Sequence, residues 1–380
     1  MELGDDDPRG TWDELLARGQ RVVEHEGVWT LLGHQVVRDA ALDATTFSSA
    51  SSRFLQVPNG MDGDEHRRYR AVIERYMTRE RVAALEPTCR RLAGGLVDSI
   101  RDDTTVEVVE ELGAPFAVRA QTAWLGWSAG LEPTLLAWMS DHRHATRTQA
   151  PDSLADVADR FDAIVRGELD ARRRNGLGAD VTSELMADSV GATPLRDEEL
   201  VSILRNWTAG DLGSLAASCG VVVHALAADR ELQREMRDLA ARDDDGSRAA
   251  LDRVIDELLR IDDPFLSNRR ITTRSVEIDG HRIPAGSRVV LAWTAANRDP
   301  ARFDDPARRC PQANAAHNLV YGIGRHVCPG RSLATMELRC VVAALLARSE
   351  QVSLAADRAS TRSYGAVGGW ESVRVNVRRR

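Results

Sequence analysis

The stretch Tyr321-Gly322-Ile323-Gly324-Arg325-His326-Val327-Cys328-Pro329-Gly330 decides how this chain is read. Two glycines let the backbone bend tightly, and two basic side chains precede a cysteine. Behind it, Pro329–Glu350 carries Leu333, Val341 and Leu345 at helical spacing. Cys328 therefore stands at the entrance of a helix, where the helix dipole and nearby cations favour a thiolate. A thiolate facing out of a glycine-rich loop is a ligand for a soft metal centre. The bland alternative is a buried, inert cysteine beside a helix start.

Upstream of that loop the pattern is mostly helical. Periodicity predicts helices over Thr11–Glu26, His66–Met77, Val82–Arg101, Pro115–Gly126, Pro133–His144, Leu154–Arg174, Asp197–Ala228 and Leu251–Arg260. Short strands are predicted at Val28–Leu32 and Gln35–Val37 around a Gly33-His34 turn. Others fall at Val276–Ile278, Arg282–Ile283, Arg288–Trp293, Val352–Leu354 and Val373–Val377. Ala296–His317 reads as an ordered loop. No repeat, low-complexity block or interdomain linker interrupts the chain, so residues 1–380 read as one mainly α domain with a small β-rich region.

Composition narrows the function. Hydrophobic residues make up 43% and charged residues 28% of 380 positions, enough apolar material for a large core. The net charge of −8 argues against a general nucleic-acid binder. All 50 basic residues are arginine, which reads as codon bias before function. Five cysteines without a CxxC pair argue against a disulfide framework or structural zinc. No apolar run approaches a membrane span, and Met1–Arg9 is too acidic for a secretory signal. The expected setting is the cytoplasm, away from membranes.

The ten-residue string resembles the heme-binding loop of the cytochrome P450 family, Phe-Gly-x-Gly-x-His-x-Cys-x-Gly, with Tyr321 in place of Phe. The resemblance implies a triangular helical prism holding heme b (iron protoporphyrin IX). Cys328 is then the axial thiolate, Tyr321, Gly322 and Gly330 flank it, and His326 contacts a propionate. Glu257-Leu258-Leu259-Arg260 matches the family's Glu-x-x-Arg motif, whose side chains share a helix face. Its expected third member is Arg308, in Asp305-Pro306-Ala307-Arg308. His66 and Arg70, one turn apart, and Arg270, with Arg269 as competitor, match the remaining propionate contacts.

Trp207–Ser214 resembles the family's distal helix at Ala209-Gly210, which would border the heme. The family continues with an acid and a threonine that pass protons to dioxygen. Here Leu212 stands at the acid position and Gly213 at the threonine. Ser214 is one residue on, about 100° around the helix. Asp211, Gly213 and Ser214 are the candidate catalytic positions of a site lacking the standard relay. Protons would come from substrate or water, peroxide would serve as oxidant, or an aromatic substrate would undergo radical coupling.

The leading expectation is a heme-thiolate monooxygenase of secondary metabolism. It would act on a small organic or peptide-derived metabolite, with electrons from a separate ferredoxin and ferredoxin reductase. Oxidative aromatic crosslinking is the alternative enzyme, and a non-catalytic heme sensor or carrier the alternative of another class. By resemblance the substrate pocket draws on Ser48–Met61, Trp138–Asp152, Trp207–Ser214, Leu266–Asn268 and Gly365–Trp370. Arg67, Arg68, Arg75, Arg79 and Arg331 form the candidate docking face for an acidic ferredoxin.

Overall fold

The computed structural model describes residues 8–148, 150–363 and 367–380. Six helices position the site: α1 (Gly63–Glu74), α2 (Arg79–Ser99), α3 (Ala114–Leu125), α4 (Asp197–Ala228), α5 (Asp245–Ile261) and α6 (Arg331–Arg348). The longest, α4, has 32 residues and runs about 48 Å. Asp197, Glu198 and Glu199 in its first turn complement the dipole, and the Glu199 carboxylate accepts from the Arg196 backbone N–H. By composition α4 is apolar and long enough to cross a membrane, but it is the central core helix and mostly buried. Its Gly220 is a packing residue, since a Cβ there would lie 2.8 Å from Val109 Cγ2.

A five-stranded sheet flanks the helices. It contains β1 (Val22–His25), β2 (Val28–Leu31), β3 (Phe47–Ser48), β4 (Ser267–Thr272) and β5 (Arg288–Ala292), in the order β1-β2-β5-β4-β3. Parallel pairing of β5 with β2 sets Val289 opposite Trp29, and antiparallel pairing with β4 sets it opposite Arg270. A second sheet joins Thr104–Glu107, Ser349–Leu354 and Arg374–Arg379. The main core gathers residues from α1 to α6, including Leu96, Phe116, Ile203, Leu215, Ile255 and Leu345.

The mainly α architecture with a small β region is as the sequence predicts, and the predicted limits of α4 are met at both ends. Within the first 50 residues the strand expected at Val28–Leu32 is present as Val28–Leu31, but two other expectations fail. The expected Thr11–Glu26 helix ends at Ala17, because Gly19 turns at φ +78° and Val22–His25 pairs as a strand. The expected strand at Gln35–Val37 lies inside a helix, His34–Leu42, whose first N–H donates to Asp299 Oδ2 at 2.9 Å. A helix over Arg230–Arg242, capped by Asp229, has no counterpart in the sequence reading.

Candidate functional site

The cysteine loop is shaped by its own backbone. Gly322 and Gly324 sit at φ +70° and +77°, the left-handed region that other residues adopt at a cost. The Cys328 N–H donates to Tyr321 O at 2.9 Å, closing the loop just before α6. Cys328 is exposed by area, but its surface faces an internal cavity of about 320 Å³ whose lining reaches Gly210, Asp211 and Ser214 of α4. Burial pushes its thiol up to about 11, outweighing the fields of Arg70 and Arg331. The expected thiolate is therefore not made by dipole and cations alone. A coordinated metal ion deprotonates such a thiol outright.

Tyr321 fits where the family has Phe because its hydroxyl finds partners. It lies 2.9 Å from Thr335 Oγ1, which donates to Asp256 Oδ1 at 3.3 Å. Arg331 pairs with the same carboxylate at 2.7 Å and lies over the Tyr321 ring.

Whether heme fits can be judged from the cations along the cavity edge. Arg270 is buried, lines the cavity and donates only to the Arg269 carbonyl; no ion pair reaches it among the described residues. His66 is buried with Nε2 unpartnered, and its ring lies 4.2 Å from that of His326. His326 Nε2 meets Ser49 Oγ at 3.0 Å. Burial, then the neighbouring His66 and Arg270, lowers His326 to about 4. The buried Arg270 guanidinium and the His326 ring in the cavity lining, with the orphaned His66 imidazole against His326 just outside it, are a seat for carboxylates such as the heme propionates. Arg70 is committed elsewhere: Nε binds Glu74 at 2.8 Å and Nη1 reaches Arg325 O at 3.5 Å. Arg269 points away from the cavity lining.

On α4 the cavity face differs from the expected one. Gly210, Asp211, Ser214, Leu215 and Ser218 line the cavity, whereas Ala209 and Gly213 do not. At 100° per residue the lining set occupies one arc, with Gly213 and Ala209 on its flank. Ala209 packs against the core instead. Ser214 and Ser218 are thus the hydroxyl residues of α4 in the cavity lining, and Ser214 Oγ donates to Gly210 O at 2.9 Å. Asp211 stands one turn before it, its carboxyl pushed up to about 7 by burial.

The Glu-x-x-Arg pair is buried as expected, but its third member is not the Arg308 guanidinium. Arg308 is exposed and contributes only its carbonyl, 3.4 Å from Arg260 Nη2. Glu257 Oε1 is instead held by the Cys310 N–H at 2.9 Å and Asn314 Nδ2 at 2.7 Å. Arg260 also stacks over Phe303.

Of the expected pocket segments, Pro58, Asn59, Trp207, Gly210, Asp211, Ser214 and Asn268 line the cavity. Nothing from Trp138–Asp152 among the described residues does. Trp138 packs inward, its Nε1 donating to Val157 O. Gln149, Gly365 and Ala366 lie outside the described residues. Trp370 does not line the cavity either, being stacked between His224 and Arg362. On the arginine face, Arg67, Arg75 and Arg331 are each taken by a carboxylate, Asp64, Asp188 and Asp256. Sequence reasoning placed Ser49 only within the broad Ser48–Met61 segment, and it missed Asp263 in the cavity lining and the buried Glu337 behind it. None sits in a motif, and only the fold brings them to the site.

The comparisons agree with this geometry. The cytochrome P450 family model matches residues 131–353, more than half of the chain. Cyclomarin C epoxidase CymV of Salinispora arenicola is 27% identical, over 92% of this chain and 91% of that protein. Erythromycin C-12 hydroxylase of Saccharopolyspora erythraea is 27% identical over 89% and 86%. The ligand-free structure of cytochrome P450 TbtJ1 superposes with a TM-score of 0.86 at 24% identity, covering 97% of this chain and 96% of that one. With its cysteine loop, buried Glu-x-x-Arg pair and a cavity lined by the buried Arg270, the chain belongs to the cytochrome P450 family of heme b oxidoreductases.

Proposed function

We propose that this enzyme oxidises a small organic or peptide-derived metabolite of secondary metabolism in the cytoplasm, using dioxygen and two electrons from a separate ferredoxin. The observation that carries the reading is a cavity lined both by Cys328 and by the polar face of α4. Bound heme supplies the oxygen chemistry at the cysteine side. Cys328 holds the iron, and Arg270, His66 and His326 hold the propionates, with Arg70 at the rim. Pro58, Asn59 and Phe265 hold substrate near the opening, with Trp124 and Trp207 as apolar wall. Relatives named for epoxidation of cyclomarin C and hydroxylation of erythromycin support a natural-product substrate.

The crosslinking alternative was motivated by a missing hydroxyl, and Ser214 supplies one at the cavity. A heme carrier would have no use for the Asp211 carboxyl that α4 brings to the cavity lining. For the electron donor, Arg68 and Arg79 are the exposed cations of the arginine face with no ion pair among the described residues. They are the residues offered to an acidic ferredoxin.

The test is spectroscopic and then chemical. Reduced protein under carbon monoxide is expected to show the red-shifted band of thiolate ligation, and Cys328→Ser to lose it while Cys89→Ser keeps it. A library of natural products is then screened for spin-state change and turnover with a ferredoxin system. A thiolate band persisting in Cys328→Ser overturns the ligand assignment.

A further inference from the structure

Asp211 is half-buried on α4 and lines the cavity. Its carboxyl makes no hydrogen bond or ion pair among the described residues. An acid set inside a protein without a partner is costly, and such a group calls for an explanation. Burial raises it to about 7, with no cation offsetting the rise. The other carboxyl of the lining is different. Asp263 Oδ1 accepts from the Phe265 N–H at 2.8 Å, and its Oδ2 is sealed from solvent.

The surroundings of Asp211 have a matching chemistry. Trp207 stands one turn before it on the same face of α4, and Trp124 of α3 meets Trp207 with ring centroids 5.2 Å apart. Both indoles line the cavity, and Trp207 Nε1 has no hydrogen-bond partner. Gly210, beside Asp211, leaves room, since a Cβ there would meet nothing within 4 Å. A carboxylate pairs with a cation, and indole faces attract one. A ligand hydroxyl would satisfy one oxygen of Asp211, but only a cation gains from the indoles as well. The one arginine of the lining among the described residues, Arg270, belongs to the propionate seat.

We propose that Asp211 and the wall of Trp207 and Trp124 form a seat for a positively charged amine, so that the metabolite taken by this site is a basic one. The carboxylate of Asp211 pairs with the ammonium, and the indoles cover its N-alkyl groups. Pro58, Asn59 and Phe265 are left for the rest of the molecule. The proposal rests on the oxidation reading above and names the substrate class of that same site.

Calorimetric titration of the heme-loaded protein tests it with two probes of one shape, benzyltrimethylammonium and the uncharged neopentylbenzene. The quaternary nitrogen has no lone pair, so it does not bind iron instead. The wild type is expected to bind the ammonium more tightly. Asp211→Asn is expected to weaken that binding about tenfold or more, with neopentylbenzene unchanged, and Asp263→Asn to keep the preference. A wild type without the preference, an Asp211→Asn variant that keeps it, or its loss in Asp263→Asn instead overturns the proposal. If Asp211→Asn does not retain heme, the wild-type spin-state screen decides: hits among basic natural products support the seat, and hits confined to uncharged ones overturn it. A protein that takes the ammonium through Asp211 but oxidises no member of the library keeps the seat and fails the oxidation reading, which separates the two outcomes.

Discussion

Arg260 and Glu257 meet through two charge-assisted hydrogen bonds, Nε to Oε2 at 2.9 Å and Nη2 to Oε1 at 3.0 Å, both side chains out of solvent. The same guanidinium donates to the carbonyls of Asn297 at 2.7 Å and Pro306 at 3.0 Å. It thereby ties α5 to the irregular segment leading to the cysteine loop.

Removing one partner leaves the other charge buried without its counter-charge, held only by neutral groups. Glu257→Ala is expected to cost about 3–5 kcal/mol in chemical denaturation and to lower heme content on purification. Asn314→Ala, which removes one neutral donor to the carboxylate, is expected to cost about 1.5–3 kcal/mol. An Arg308→Ala variant as unstable as Glu257→Ala would restore the Arg308 guanidinium to the network.

Arg270 gives a prediction with opposite signs in two states. Without heme its buried guanidinium has only a backbone carbonyl for partner. Arg270→Leu is therefore expected to stabilise the cofactor-free protein in thermal unfolding. With heme bound, the lost propionate contact weakens retention by about 1.5–3 kcal/mol, read as faster heme transfer to a scavenger. A variant less stable without heme would mean that the arginine already has a structural partner.

The raised carboxyl of Asp211 makes the cofactor-free protein sensitive to pH. Its folded value of about 7 lies above the ordinary 3.8, mainly through burial. Between these values the native state holds a proton that the unfolded chain has released, so stability falls as pH rises from about 4 to 7. Asp211→Asn is expected to flatten that slope in denaturant titrations at several pH values. An unchanged slope would assign the pH response to other groups.

The helical body and the cysteine loop were legible because each is local. Helix α4 announces itself by acidic first-turn residues and a long apolar run, and the loop by glycines at fixed spacing before a cysteine. The first strand was missed because Val22–His25 exists only by pairing with Val28–Leu31, and the turn at Gly19 weighs little against helical periodicity upstream. Arg308 was chosen by its place in a motif, whereas Glu257 is satisfied by Asn314 and a backbone N–H that no pattern marks. That Glu337 carries a buried carboxyl without a partner depends on how α4 and α6 pack, which no sequence pattern marks.

The rotation of α4 leads to the final prediction, which separates Ser214 from Gly213. Alignment with the family's acid and threonine singles out Gly213, but the cavity is lined by Ser214, about 100° around the helix. A Cβ on Gly213 would meet nothing within 4 Å, and alanine is favoured over glycine in a helix by about 1 kcal/mol. Gly213→Ala is accordingly expected to stabilise the protein by about that amount. Ser214→Ala removes a hydroxyl that bonds only to its own helix backbone, at Gly210 O and Asp211 O, so stability should hardly change. What the variant tests is whether a hydroxyl at the cavity lining carries protons in the proposed reaction. The expected signature is less product per electron, more peroxide released, and a changed solvent isotope effect, all at normal substrate affinity. Should Ser214→Ala stay fully coupled while Gly213→Ala loses coupling, the family's alignment is right and the relay does not run through Ser214.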